Sequence, residues 1–379
     1  MKIVFDGRTI RPRRTGVGYS VERLLRALME NDRDSEYLVL LNDESVWATW
    51  KTPANFRALR VSADYESHPW GDLWERFALP RLLDREHADL FHGPAFRVPH
   101  ARCRCPAIVT IYDLTCWRCG EGYPWRFRHY MRWLIRRSCR WATAIIVPSR
   151  ATANDLRELL GVAESKLHII AEAADERFRP AESLDRARLA AIHPALAQPY
   201  ILTVGTIEPR KRIDLLVAAY EKARVGGLLP HALIVVGRVG WKAEASLRAM
   251  RQSPAAASIH YLGYVNEDDL VAIYQGCDLL VCASRYEGFG LPPLEAMACG
   301  RPVVVTAGGA LAEVVGDAGI VVDSLGSNSL AEAMSNVLTN EDRRLSMPRK
   351  SLNAAALFSW KTTAAQTLSL YDTLTQPSA

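Results

Sequence analysis

The sequence predicts an α/β protein built from two doubly wound parallel-sheet domains facing across a cleft, and three observations carry that expectation. Short apolar runs alternate with helical stretches along the whole chain, the pattern of parallel strands joined by crossover helices. The 379 residues suffice for two domains of ordinary size. One stretch, Arg179–Pro199, breaks the alternation with three prolines and reads as a linker.

In the first half, strands are expected at Lys2–Asp6, Tyr37–Leu41, Arg57–Val61, Ala88–His92, Ala107–Asp113 and Ala144–Pro148. In the second half they are expected at Tyr200–Val204, Ala232–Gly237, Ile259–Leu262, Leu279–Cys282, Pro302–Thr306 and Gly319–Val322. The domains are then residues 1–180 and 195–358. Residues 359–379 form a terminal segment whose Ser359–Leu374 reads as a helix with Trp360, Ala364, Leu368 and Tyr371 or Leu374 on one stripe. No internal repeat or low-complexity segment stands out. Ligands of open α/β sheets bind beyond the carboxyl ends of the strands, so the expected site is the cleft.

Composition narrows the class. Apolar residues make up 49% and charged residues 23%, ordinary values for a soluble globular protein. A net charge of +5 does not point to a nucleic-acid binder. No run of eighteen apolar residues exists, and the strand-like Lys2-Ile3-Val4-Phe5 follows the first residue at once. A membrane span and a cleavable signal are therefore not expected, and the expected location is cytoplasmic with any membrane contact peripheral.

Eight cysteines include Cys103 and Cys105, followed by Cys116 and Cys119. The strand expected between the two pairs would separate them by roughly 20 Å at about 3.3 Å per residue. A shared zinc then requires the loops to fold back, and reduced thiols are the preferred reading.

The most informative segment is Ser284–Thr306. It places Glu287 and Glu295 on either side of a glycine turn, Gly288 and Gly290, and a helix start marked by Pro292 and Pro293. Glycines let a backbone approach a ligand closely, and a helix N-terminus offers N–H groups to an anion. A ligand with both phosphates and hydroxyls, such as a sugar nucleotide, matches that layout. Upstream, Thr203–Arg212 ends a strand and carries Arg210 and Lys211, read either as a solvated basic loop or as cations offered to a diphosphate. In the first half, Thr15-Gly16-Val17-Gly18-Tyr19 follows a basic loop (Arg8, Arg11, Arg13, Arg14) and precedes a helix expected at Ser20–Met29. It reads as a ligand-contacting glycine loop or as a plain turn. His92, at a strand end, is either a cleft residue or a structural histidine.

The strings Gly-Thr-Ile-Glu-Pro-Arg-Lys and Tyr-Glu-Gly-Phe-Gly-Leu-Pro resemble the signature of retaining glycosyltransferases of family four, which have two Rossmann-like domains in the GT-B arrangement. The resemblance covers nearly the whole chain and is most specific over Thr203–Asp214 and Gly263–Gly319. It implies a donor site in which Arg210 and Lys211 hold the diphosphate and stabilise its departure. Glu295 would bond the ribose hydroxyls, and Glu287 the hydroxyls of the transferred sugar, with Phe289, Gly290 and Leu291 nearby. Val265 would sit beside the nucleobase, and Gly16 and Gly18 across the cleft from the phosphates. It also implies that the terminal helix crosses back to the first domain.

One departure matters. Many relatives carry histidine then aspartate where this chain has Tyr112 and Asp113. Tyrosine does not do acid–base work at neutral pH without a large pKa shift. The family's front-face mechanism, in which the leaving phosphate takes the acceptor proton, needs no protein base. Tyr112 and Asp113 would then position sugar or acceptor.

The strings look most like bacterial O-antigen and exopolysaccharide mannosyltransferases, so GDP-mannose is the first expected donor and no metal or cofactor is implied. Rhamnosyl or glucosyl transfer from dTDP- or UDP-sugars is the alternative, as is a catalytically degenerate binding protein. A dinucleotide oxidoreductase would need Gly-x-Gly-x-x-Gly after a strand with an acid about twenty residues on, an arrangement the chain lacks. The expected acceptor is a glycan or lipid-linked glycan.

Arg118–Arg140 carries seven arginines against one acid, interleaved with aromatics. On a helix from about Trp125, the residues Phe127, Tyr130, Met131, Leu134 and Trp141 would form one face, and Arg128, Arg132, Arg136 and Arg140 the other. This is a core helix with a solvated basic face, or a patch at residues 125–141 for anionic lipid headgroups or a pyrophosphate-linked acceptor.

Overall fold

The computed structural model describes the chain except for residues 13–15, 64–69, 100, 102, 226–228, 324–325 and 377–379. Arg13, Arg14 and Thr15 of the expected glycine loop therefore lie outside the described residues. The chain forms two compact units. The first comprises Met1–Leu114, His129–Glu172 and Ser359–Ala379, and the second Thr115–Arg128 and Ala173–Phe358.

The first unit holds a seven-stranded parallel sheet. Its strands are β1 (Lys2–Asp6), β2 (Glu36–Leu41), β3 (Phe56–Arg60), β4 (Leu90–Gly93), β5 (Ala107–Thr110), β6 (Ala144–Val147) and β7 (Leu167–Ile169), in spatial order β3-β2-β1-β4-β5-β6-β7. Val4 faces Leu38 on one side and Phe91 on the other. Ile3, Val4, Phe5, Leu90 and Phe91 are all fully buried, because a parallel sheet covered on both faces needs unbroken apolar runs. The terminal helix Trp360–Thr375, capped by Ser359 Oγ on the Thr362 N–H (3.0 Å), packs in this unit against the helix Gly16–Asn31. Its buried stripe is Thr363, Ala364, Thr367, Leu370 and Tyr371. Trp360 and Leu368 of the expected stripe are only half-buried.

The second unit holds a six-stranded parallel sheet. Its strands are β8 (Tyr200–Val204), β9 (Ala232–Val236), β10 (Ile259–Gly263), β11 (Leu279–Cys282), β12 (Val303–Thr306) and β13 (Ile320–Val322), in order β10-β9-β8-β11-β12-β13. Leu202 pairs with Ile234 on one side and Leu280 on the other.

Both sheets are α/β and doubly wound. Three expectations need correction. The strand after Ala107 stops at Thr110, so Tyr112 and Asp113 sit in the loop beyond it. The stretch Arg179–Pro199 is no bare linker: it contains a helix, Arg186–Ile192, capped by Asp185 and anchored by buried Leu189, and a 3₁₀ turn that buries Leu196. β7 was not anticipated, because three residues at a sheet edge, half-exposed, leave little apolar signal.

Candidate functional site

In an open sheet the crevice forms where strand order reverses, because loops on either side of that point run to opposite faces. In the second unit that point lies between β8 and β11. The loop after β8 carries Arg210 and Lys211 in the 3₁₀ turn Pro209–Lys211, and the loop after β11 carries Glu287. The reversal point thus brings together residues 76 and 77 positions apart in sequence.

Glu287 is gripped on both oxygens. Arg210 Nη1 donates to Oε2 at 2.6 Å, Lys211 Nζ to Oε1 at 2.5 Å, and Ser284 Oγ to Oε1 at 2.7 Å. Glu208 holds the other edge of Arg210, with Nε–Oε1 at 2.6 Å. Arg210 Nη1 also donates to the Tyr286 carbonyl (3.1 Å), and the Arg285 N–H donates to the Arg210 carbonyl (2.7 Å), so the two loops are stitched together. Burial by itself would raise the Glu287 carboxyl, but Arg210 and then Lys211 outweigh it and hold the group down at about 2. It is ionised at every physiological pH. The two cations and two carboxylates cancel, so a diphosphate would meet directed N–H donors more than net positive potential.

The glycine turn has a geometric cause. Gly290, with φ of +125°, occupies backbone space that other residues rarely adopt, and it leads into the helix Leu291–Ala298. Pro292 and Pro293 stand in the first turn, where their missing N–H groups cost nothing. Across the loop, Gly309 sits at φ +67°, and a Cβ there would lie 2.2 Å from the Glu287 carbonyl oxygen. That close approach lets the Ala310 N–H bond the same carbonyl at 2.9 Å and fixes the backbone of Glu287.

Glu295 lies on that helix and is 8% exposed. Burial pushes its carboxyl up to about 7; nearby Tyr274 offsets part of the rise, while Asp175 and Glu267 add to it. Two carboxylates of one motif thus stand in opposite states: Glu287 is locked as an anion, and Glu295 is poised to lose a proton near neutrality. A raised carboxyl of this kind takes a proton or an added hydrogen-bond donor readily, and ribose hydroxyls would supply donors.

Phe289 is buried edge-on against Phe358, with centroids 5.7 Å apart, and Leu291 is half-buried. Val265 is half-buried just beyond β10 and is followed by Asn266, which caps the next helix on the Asp269 N–H at 2.9 Å. Residues Gly120–Phe127 also belong to this unit. Glu121 pairs with Arg285, and Tyr123 and Phe127 meet Trp241 edge-on at 5.3 and 4.5 Å.

In the first unit the order reverses between β1 and β4. Gly16 and Gly18 are not in a loop: they form the first turn of the helix Gly16–Asn31, with Gly16 exposed and Gly18 buried. Arg8 is not part of a solvated basic loop. It is fully buried between Asp6 (2.7 Å) and Glu75 (2.8 Å), and Arg97 continues the network to Glu75 and Asp72, each at 2.9 Å. His92 is corrected to a structural residue. It is wholly buried, its Nδ1 lies 2.6 Å from the Tyr371 hydroxyl and its Nε2 3.1 Å from Thr110 Oγ1. Burial drives its pKa down to about 3, so it stays neutral and ties β4 to the terminal helix. Tyr112 is half-buried, edge-on to Phe96 at 5.7 Å, and its carbonyl accepts from Thr152 Oγ1 at 3.2 Å. Asp113, also half-buried, follows it in the same loop.

The helix Trp125–Trp141 forms, but it buries Leu134, Ile135, Ser138 and Cys139. Trp141 is exposed, and Arg128 and Arg132 are half-buried instead of facing solvent. The face assignment from sequence is therefore rotated. The eight cysteines are all free thiols. Among the described residues no group of three or more His, Cys, Asp or Glu could hold a metal ion.

Ser284 and Glu208 were not singled out in the sequence, although Glu208 falls inside the first quoted string and Ser284 opens the segment Ser284–Thr306. Tyr274 lies outside both strings, twelve positions before Tyr286, and carries no local signal.

The family described as Glycosyl transferases group 1 matches residues 186–353, and Glycosyltransferase Family 4 matches residues 14–177. The chain is similar to O-antigen chain mannosyltransferase B of Escherichia coli, 29% identical over 99% of this chain and 100% of that protein. In fold it is similar to a sucrose-phosphate synthase from Thermosynechococcus elongatus (TM-score 0.77, 20% identity, 98% of each chain). It is also similar to a glycosyltransferase from Rickettsia africae (TM-score 0.73, 15% identity, 100% of this chain and 99% of that one). With two doubly wound sheets, the Arg210–Glu287–Lys211 cluster at a reversal point and family matches over most of its length, the chain belongs to the family-four glycosyltransferases of the GT-B fold.

Proposed function

We propose that this glycosyltransferase moves mannose from GDP-mannose to a growing glycan, with retention of anomeric configuration and without a metal ion. The observation that carries the reading is the cluster in which Arg210 and Lys211 are held by the buried Glu287 where the second sheet reverses its order. The choice of mannose is supported by the end-to-end similarity to an O-antigen chain mannosyltransferase. The proposed partners are the sugar nucleotide and a glycan or lipid-linked acceptor.

The chemistry follows from the charges. The bond from sugar C1 to the β-phosphate oxygen breaks and negative charge grows on the departing diphosphate. Lys211 carries three N–H donors and gives one to Glu287, so donors remain for that oxygen. Each such bond is worth about 1.5–3 kcal/mol, and cations fixed before the reaction lose nothing to reorganisation. The acceptor oxygen bonds C1 on the face the phosphate leaves, and its proton passes to the phosphate oxygen. Glu287 orders the cations and meets the sugar hydroxyls, and Glu295 receives the ribose. Phe289, Gly290 and Leu291 border the sugar, and Val265 the base. Tyr112 and Asp113 act as positioning groups on the acceptor side, and Gly16 and Gly18, in the first turn of the helix Gly16–Asn31, contact the substrate.

No helix among the described residues is long and apolar enough to cross a membrane. Peripheral contact of the helix 125–141 with the cytoplasmic face of a membrane belongs to the same reading, since a lipid-linked acceptor is presented there.

The test is transfer of labelled mannose from GDP-mannose to a short mannoside acceptor in EDTA, with the new linkage assigned by NMR. An α-linked product from the α-configured donor is expected. A β-linked product, or transfer only from UDP- or dTDP-sugars, overturns the corresponding part of the reading.

A further inference from the structure

The helix Trp70–Arg85 is apolar on two opposite sides. Its inner side buries Glu75, Leu79 and Leu83. Its outer side carries Trp70, Leu73 and Phe77, which are 72%, 43% and 51% exposed. Spacings of three and four residues put these three on one stripe, and exposed Arg81 extends it by another turn. A helix of a water-facing surface normally turns polar residues outward, so a continuous outward stripe of this kind marks a binding surface.

A second helix stands beside it. Tyr130 of the helix Trp125–Trp141 donates to Asp72 Oδ1 at 2.8 Å, and Arg97 bonds both residues. One turn beyond Tyr130, Trp133 is 44% exposed, and Arg136 and Arg140 are exposed on the same outward side. That helix contains no acidic residue. On the first helix, Asp72 and Glu75 point inward to Arg97 and Arg8, and Asp84 is opposed by Arg104 at 3.8 Å. Outward, the pair of helices is therefore apolar and cationic at once.

We infer that the outer stripe Trp70–Leu73–Phe77 inserts into the headgroup region of an anionic lipid bilayer, with the arginines of the neighbouring helix holding the phosphates. Aromatic side chains settle at the water–lipid boundary, and a basic helix beside an apolar stripe is drawn to anionic headgroups. The cationic surround fits a polyanionic partner and disfavours a second copy of the same face, which would bring like charges together. The inference gives the proposed membrane contact its inserting element, and it rests on that reading only for its purpose.

The test reads binding without turnover, so it stands or falls separately from the donor assignment. The full chain is sedimented with phosphatidylcholine vesicles, and with vesicles in which three-tenths of the lipid is phosphatidylglycerol. Wild type is expected to partition onto the anionic vesicles and to be released by high salt. Leu73→Glu/Phe77→Glu should weaken that binding by about tenfold or more while melting temperature and GDP binding stay unchanged. Arg136→Glu/Arg140→Glu should weaken binding to anionic vesicles to a similar degree and leave the weak binding to neutral vesicles as it was. Failure of wild type to bind anionic vesicles, or undiminished binding by the Leu73/Phe77 variant, would overturn the inference. So would a wild-type dimer in solution that the Leu73/Phe77 variant abolishes, because a second copy would then cover the stripe.

Discussion

Replacing Glu287 with glutamine removes the buried anion between two half-buried cations and keeps the shape. The carboxyl is held at about 2 against an ordinary 4.5. At 1.36 kcal/mol per pKa unit, its ionised form contributes about 3 kcal/mol to the folded state. That agrees with the roughly 3–5 kcal/mol lost when one partner of a buried pair is removed. Because the folded pKa is depressed, the contribution is complete above the unfolded value of 4.5 and is lost as pH falls toward 2. Glu287→Gln should therefore lower the melting temperature at neutral pH by roughly 6–12 °C, at about 2–4 °C per kcal/mol. The gap to wild type should narrow as pH is taken from 5 to 3. Differential scanning calorimetry of both proteins across that range is the assay. Removing the carboxylate also leaves the cluster one positive charge in excess, so inorganic pyrophosphate should restore part of the lost stability in the variant and do less for wild type. A loss below about 1 kcal/mol with no pH dependence would mean that Glu287 is not the anchor of the two cations.

Other outcomes follow from the same geometry. Lys211→Ala and Glu295→Ala should each lower kcat/KM for the donor by about tenfold to a hundredfold, with near-wild-type circular dichroism; unchanged rates would move the donor site elsewhere. Glu295, held at about 7 in the free protein, is half-protonated at pH 7. If ribose hydroxyls bond its ionised form, nucleotide binding at pH 7 should release about half a proton, read by calorimetry in buffers of different ionisation enthalpy. Proton uptake, or none, would contradict the ribose assignment. The same raised value means that Glu295 costs the fold stability as pH rises from 4.5 through 7, and Glu295→Gln should flatten that slope. His92→Ala, which strands the Tyr371 hydroxyl and Thr110, should destabilise by about 1–3 kcal/mol in urea unfolding and leave the donor KM unchanged; a raised KM would return His92 to the binding site.

The strands were legible because both sheets are parallel and covered on both faces, so β1, β8 and β11 read as unbroken apolar runs. β7 was lost because Leu167-His168-Ile169 is short and half-exposed at an edge. Arg210, Lys211, Glu287 and Glu295 could be named from the strings that carry them. The ion pairs that join Glu287 to both cations could not, since they depend on which loops flank the reversal point of the sheet. His92 was ambiguous because its partner Tyr371 lies 279 positions away, and only folding reveals that both ring nitrogens are taken. The helix Trp125–Trp141 misled by composition. Arginines and aromatics alternate there closely enough that two stripes compete, and the one that packs carries the buried Leu134, Ile135 and Cys139, with Trp133 left outside.

On this reading Arg210 and Lys211, held by Glu287, form a diphosphate site that needs no metal. Isothermal titration of wild type and Lys211→Ala with GDP, UDP, dTDP and ADP, each with and without EDTA, tests it most directly. Wild type should bind GDP tightly and insensitively to chelator, and the variant should lose about tenfold or more in affinity. Equal affinity of the two proteins for the same nucleotide, or binding abolished by EDTA, would contradict it.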